Sequence, residues 1–151
     1  MFSQTVEYAL RAATVIGSDP ERQWKRQELA KITKVPAEYL SKVLQGLARE
    51  GLVRSQRGLG GGFSIAKDPG AIRVLDVVNV VEAIRRIHVC PLGLEAHGTK
   101  LCPLHRKLDE AFAAVEAAFA TTSLADLIKD PSPIRRRPCE FPLKPEKEAS
   151  R

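Results

Sequence analysis

Apolar residues recur along this chain with two periods, and the switches between them outline its elements. Val6, Leu10, Ala13 and Val15-Ile16 fall at helical spacing behind Ser3 as N-cap, which predicts a helix over 3–16, closed by Gly17-Ser18-Asp19-Pro20. Residues 26–33 predict a short amphipathic helix with Leu29, Ala30 and Ile32 inward. After the turn Lys34-Val35-Pro36, Leu40, Val43, Leu44 and Leu47 sit at i, i+3, i+4 and i+7, and Gly51 caps this helix over 37–50. Two short helices joined by a tight turn make a helix-turn-helix. In residues 52–66, Leu52-Val53 and Phe63-Ile65 flank a glycine-rich centre, which predicts a β-hairpin. The valine-rich stretch 74–84 fits strand by composition and helix by spacing; Val77, Val78, Val81 and Ile84 decide for helix. A loop over 88–102 precedes the strongest helical stripe, Leu104, Leu108, Ala111, Phe112, Val115, Ala118 and Phe119 over 103–120. Ser123 with Asp126 forms a capping box for a last helix ending near Ile128. The expected fold class is mainly α with a small β-hairpin wing. A winged helix-turn-helix occupies 1–87, a sensor loop 88–102, dimerisation helices 103–128, and a proline- and charge-rich mobile tail 129–151.

Charge sharpens the first half. The 151 residues carry 24 Lys/Arg against 18 Asp/Glu, a net +6. Residues 20–60 alone hold nine Lys/Arg and four Glu, a local +5. A basic helix-turn-helix followed by a hairpin reads as a DNA-binding winged helix, with its second helix in a major groove. The candidate DNA-facing residues are Arg26, then Glu38, Tyr39, Ser41, Lys42 and Gln45 on the face opposite the apolar stripe, and Arg54, Arg57, Gly60 and Gly61 in the wing. Lys42 and Gln45 suit base edges, Tyr39 and Ser41 phosphates, and wing arginines a narrow minor groove.

The other anomaly is chemical. All three histidines and two of the three cysteines fall within 88–105, where Cys90, His97, Cys102 and His105 read C-x6-H-x4-C-x2-H. Thiolate and imidazole are ligands for zinc and for iron–sulfur clusters. Each cysteine precedes a proline, and His105 lies three residues after Cys102, so the first turn of a helix can aim both at one point. A disulfide, or two buried thiols among surface histidines, fits the same spacing. No apolar run is long enough to span a membrane, and the start carries no secretory pattern; with an odd cysteine count this points to a cytoplasmic protein. No phosphate-loop, triad or other catalytic motif is readable, so the chain is expected not to be an enzyme.

Taken together, VEYALRA (6–12), the segment from Val35 to Pro69 containing RGLGGGFSIAKDP, the loop from Cys90 and the helices over 103–128 resemble the Rrf2 winged-helix transcriptional regulators. That group holds iron–sulfur-cluster regulators and nitric-oxide-sensing repressors. The resemblance covers about residues 1–128. It implies a homodimer held by the helix over 103–120 and binding palindromic double-stranded DNA, with no membrane partner. It also implies a cluster on cysteines spaced C-x5-C-x5-C; here these positions are Cys90, Ala96 and Cys102, so the middle thiol is missing. His97 stands beside the gap, His105 matches a histidine ligand of some members, and Glu7 matches an acidic ligand given by the other subunit in others; Arg11 replaces a further histidine. A 2Fe–2S cluster on Cys90, Cys102, a histidine and Glu7 follows for a redox, nitric-oxide or iron–sulfur sensor. Zinc on Cys90, His97, Cys102 and His105, and cofactor-free dithiol sensing, stay open, as does a small metal or redox carrier.

Overall fold

The computed structural model describes residues 2–93, 100–129, 131–132 and 137–138, the last two pairs as backbone. Helix α1 (Gln4–Gly17) is followed by α2 (Arg26–Thr33) and α3 (Ala37–Arg49), the helix-turn-helix. Ser3 occupies the N-cap position of α1, but it caps through its carbonyl, which accepts from Val6 N (3.1 Å), and not through its side chain. The turn between α2 and α3 places Lys34 at φ 55°, a left-handed conformation that ends α2. At the end of α3 the prediction for Gly51 holds. Its φ is +68°, and Leu52 N donates to Leu47 O (2.9 Å) while Gly51 N donates to Ala48 O (3.1 Å), a Schellman stop.

Strands β1 (Val53–Gln56) and β2 (Gly62–Ile65) pair antiparallel, with Val53 opposite Ile65 and Gln56 opposite Gly62. Trp24 bridges to β2 at Phe63. Its N–H donates to Phe63 O and its C=O accepts from Phe63 N, each at 2.8 Å. A 3-10 turn (Pro69–Ala71) leads to α4 (Val74–Val81). This helix stops three residues short of its predicted end, because Glu82 turns extended (φ −152°, ψ 97°) and the following segment is drawn along α5. Helices α5 (Pro103–Thr121) and α6 (Leu124–Lys129) follow, and β3 (Pro131–Ser132) pairs with β4 (Arg137–Pro138).

The main core gathers Ala9, Ala12, Val15 and Ile16 of α1, Leu29 of α2, Leu40, Leu44 and Leu47 of α3, Trp24 and Ile72. Leu124 of α6 lies in the same core, fully buried. Leu124 N donates to Ile72 O and Val74 N donates to Thr122 O (2.9 Å each), so the chain after α5 returns to the segment that leads into α4. Ser123 and Asp126 form the predicted capping box: Ser123 N donates to Asp126 Oδ2 (2.8 Å) and Asp126 N to Ser123 Oγ (3.1 Å). Helix α5 differs from all of these. It has no buried residue, and Leu104, Leu108 and Phe112 are 63%, 42% and 40% exposed along one stripe.

Candidate metal centre and DNA interface

The two Cys-Pro pairs do different local work at one place. Cys90-Pro91-Leu92-Gly93 closes a turn in which Gly93 N donates to Cys90 O (3.2 Å), with Gly93 at φ +61°. Cys102 is the N-cap of α5 and Pro103 its first residue, a position where a missing N–H costs nothing. His105 sits in the first turn of the same helix. Its Nδ1 lies 3.1 Å from Cys102 Sγ and 3.6 Å from Cys90 Sγ, and one donor atom from each of the three residues lies within 4.8 Å of the others. Cys90 is buried; Cys102 and His105 are half-buried.

This set fits a thiophilic metal. Ligands of a single tetrahedral ion lie about 3.3–3.8 Å apart, given metal–ligand bonds of about 2.0–2.3 Å. The 3.6 Å distance from His105 to Cys90 falls inside that range and the 3.1 Å distance to Cys102 just below it, a gap that a small side-chain adjustment closes. His97 lies outside the described residues, as does Cys139 of the tail. Glu7 is exposed on α1 and paired with Arg11, whose guanidinium also donates to Thr33 O (3.2 Å). Within one chain Glu7 is therefore paired with Arg11 and is not one of the three grouped donors.

A network that the sequence did not reveal flanks the donors. Arg86 Nε and Nη2 donate to the two oxygens of Asp109 (2.7 Å each), Ile87 N donates to Asp109 Oδ1 (2.8 Å), and Arg86 Nη1 reaches Glu116 Oε2 (3.4 Å). The side-chain bonds from Arg86, and next the Ile87 N–H, hold the Asp109 carboxyl down at about 2; the same bonds push the Arg86 guanidinium up. Asp109 follows His105 by four residues, which is the only local hint of its placement.

Most of the residues predicted to face DNA are presented to solvent. Glu38, Tyr39, Lys42 and Gln45 are exposed on α3, and Arg26 is exposed and donates to Ser41 Oγ (3.1 Å). Tyr39 is 51% exposed and meets Tyr8 edge-on, 6.0 Å between ring centres. Arg54 and Arg57 are exposed in the wing, Arg54 bonding Ala66 O (3.3 Å). Gly58 and Gly60 adopt φ +94° and +78° at the wing tip, which requires glycine in practice. Gly61 is different: it is buried, and a Cβ there would lie 2.2 Å from Gln56 O, so its place is inside the hairpin. Lys25, the N-cap residue of α2, reaches across to bond Gly61 O through its ammonium.

Comparison with known proteins agrees with this architecture. The family model Rrf2, described as an iron-dependent transcriptional regulator, matches residues 2–130. A candidate HTH-type transcriptional regulator of Aquifex aeolicus (strain VF5) is 33% identical over 131 residues, covering 85% of this chain and 91% of that protein. Among solved structures, CymR (YrzC), the global cysteine regulator of B. subtilis, superposes with a TM-score of 0.70 at 24% identity, covering 84% of this chain and 95% of that one. T. potens IscR gives a TM-score of 0.71 at 22% identity, covering 86% and 87%. These two likenesses carry the fold, and the family match carries the class: a regulator and not an enzyme. Among the described residues no helix is long and apolar enough to cross a membrane. The chain belongs to the Rrf2 family of winged helix-turn-helix transcriptional regulators.

Proposed function

We propose that this chain is a homodimeric repressor whose hold on a palindromic operator is set by a metal centre on Cys90, Cys102 and His105. The observation that carries the proposal is the convergence of those three donors at the joint between α4 and α5. The family description as iron-dependent supports iron, and two thiolates support a 2Fe–2S cluster, completed by His97 or by Glu7 of the partner subunit. Such a cluster supplies one-electron redox chemistry and reactivity toward nitric oxide. As a ligand from the partner subunit Glu7 would give up its bond to Arg11, which would make occupancy sensitive to how the two subunits sit. Zinc is the second reading, favoured by one observation: the three donors already lie around a single point.

The exposed stripe Leu104, Leu108 and Phe112 supports a second copy of α5 as its cover, and the two-fold relation then places two α3 helices on successive half-sites. A shift of Cys90 moves the segment leaving α4. Val80 of α4 packs against Gly46 of α3 so closely that a Cβ on Gly46 would lie 2.8 Å from Val80 Cγ1, so α3 follows α4. The test is fluorescence anisotropy on an operator selected from random DNA, with protein reconstituted anaerobically and with the same protein after chelation. The reading expects affinities differing by about 5–150-fold. Equal affinities contradict it.

A further inference from the structure

Resting on that metal reading, we infer that the Arg86–Asp109 ion pair is the positioning device of the centre: it holds the two segments that carry the ligands in register before metal arrives. Arg86 precedes Cys90 by four residues, and Asp109 follows His105 by four, one helical turn along α5. The pair therefore closes the chain immediately outside the donors on both sides. It is two-pronged, both bonds at 2.7 Å, and Ile87 N locks the adjoining backbone to the same carboxylate at 2.8 Å. A planar guanidinium gripping a carboxylate with two parallel bonds fixes orientation as well as distance.

Such a tie is needed on physical grounds. Cys90 and Cys102 bind metal as thiolates, and two thiolates brought close repel each other. Their residues are also separated by an eleven-residue stretch whose closure costs conformational entropy. Nothing in the spacing of the cysteines compensates either cost. The Arg86–Asp109 bond closes the enclosing loop at its base, which shortens the span that metal binding has to order. Glu116, 3.4 Å from Arg86 Nη1 and two turns further along α5, gives the guanidinium a second carboxylate on that helix.

The experiment titrates the full-length, reduced protein anaerobically with Co(II) alone, reading the thiolate-to-cobalt band and the visible ligand-field bands, with circular dichroism melts in parallel. Wild type is expected to take one Co(II) per chain. Arg86→Ala and Asp109→Asn are expected to weaken cobalt binding about 10–100-fold, the range for groups that orient ligands, and to alter the ligand-field intensity. Asp109→Asn keeps an acceptor for Ile87 N, so it retains the backbone docking if Arg86→Ala does not fold. Arg86→Lys is expected to restore part of the affinity, and Arg85→Ala, next door and exposed, to change nothing. Wild-type affinity and spectrum in folded Asp109→Asn overturn the inference while leaving the metal reading intact. Wild type that binds no cobalt overturns this inference, and if the same protein also holds neither iron with sulfide nor zinc, the metal reading falls with it.

Discussion

Trp24 and Phe63 exchange both backbone hydrogen bonds, each 2.8 Å, and thereby tie the wing to the segment entering α2. The wing is thus an edge of the domain and not an isolated hairpin, which alone would be marginal in water. Its geometry leaves no space for a side chain at Gly61. Gly61→Ala sets a Cβ 2.2 Å from Gln56 O, so we expect a destabilisation of about 1–3 kcal/mol, the usual cost of overpacking, and weaker DNA binding. Thermal melts and anisotropy check both; unchanged operator affinity would show that wing shape does not enter recognition.

The exposed face of α3 predicts a different pattern. Lys42→Ala and Gln45→Ala each remove a side chain suited to base edges and should cost about 1–3 kcal/mol on the specific operator, with little loss on random DNA. Arg57→Ala should weaken both and lower the slope of log affinity against log salt by about 1. Equal losses on specific and random DNA for the α3 variants would move base reading elsewhere.

Leu124 and Leu108 separate folding from assembly. Leu124 is fully buried in the main core, so Leu124→Ala should cost about 2–5 kcal/mol of stability. Leu108 is 42% exposed on α5, so Leu108→Asp should leave the fold of one chain in place and produce monomers. Denaturant melts and sedimentation velocity give the two readings. A stable dimer of Leu108→Asp would exclude that stripe as the contact between subunits.

The clamp on α5 carries its own pH signature. Arg86, and after it the Ile87 N–H, holds the Asp109 carboxyl at about 2, against an ordinary 3.8. A folded value below the unfolded one adds stability that is complete above about pH 4 and fades as pH falls through about 2. Carboxyl NMR titration should place Asp109 near 2 in the wild type and closer to 3.8 in Arg86→Ala. A wild-type midpoint near 3.8 contradicts the bidentate geometry.

Sequence periodicity disclosed the helices because their apolar residues repeat locally: Leu40, Val43, Leu44 and Leu47 needed only each other to define the inner face of α3. Cys102 and His105 were legible as a pair for the same reason, lying three apart on one helical turn. What joins them to Cys90, fifteen residues from His105, is tertiary. The Arg86–Asp109 bond spans 23 residues, and Trp24 pairs with a residue 39 further on; neither leaves a periodic trace. The valines of 74–81 mark a helix by spacing, yet its end at Val81 follows from Ile87 and Arg86 being drawn to Asp109. Gly61 shows the converse: its glycine was legible as part of the wing, but only the folded hairpin separates a tip glycine from one buried against Gln56.

The central claim is a metal centre on Cys90, Cys102 and His105, and metal analysis of the purified protein tests it most directly. Iron, acid-labile sulfide and zinc should be measured per chain in anaerobically prepared wild type, Cys90→Ala, Cys102→Ala, His105→Ala and Cys139→Ala. The account predicts bound metal in the wild type and in Cys139→Ala, with sulfide matching iron for a 2Fe–2S cluster, and its loss in the other three. Stoichiometric zinc without sulfide would select the zinc reading. Wild-type protein without metal, or metal retained when Cys90, Cys102 and His105 are each replaced, would contradict the centre itself.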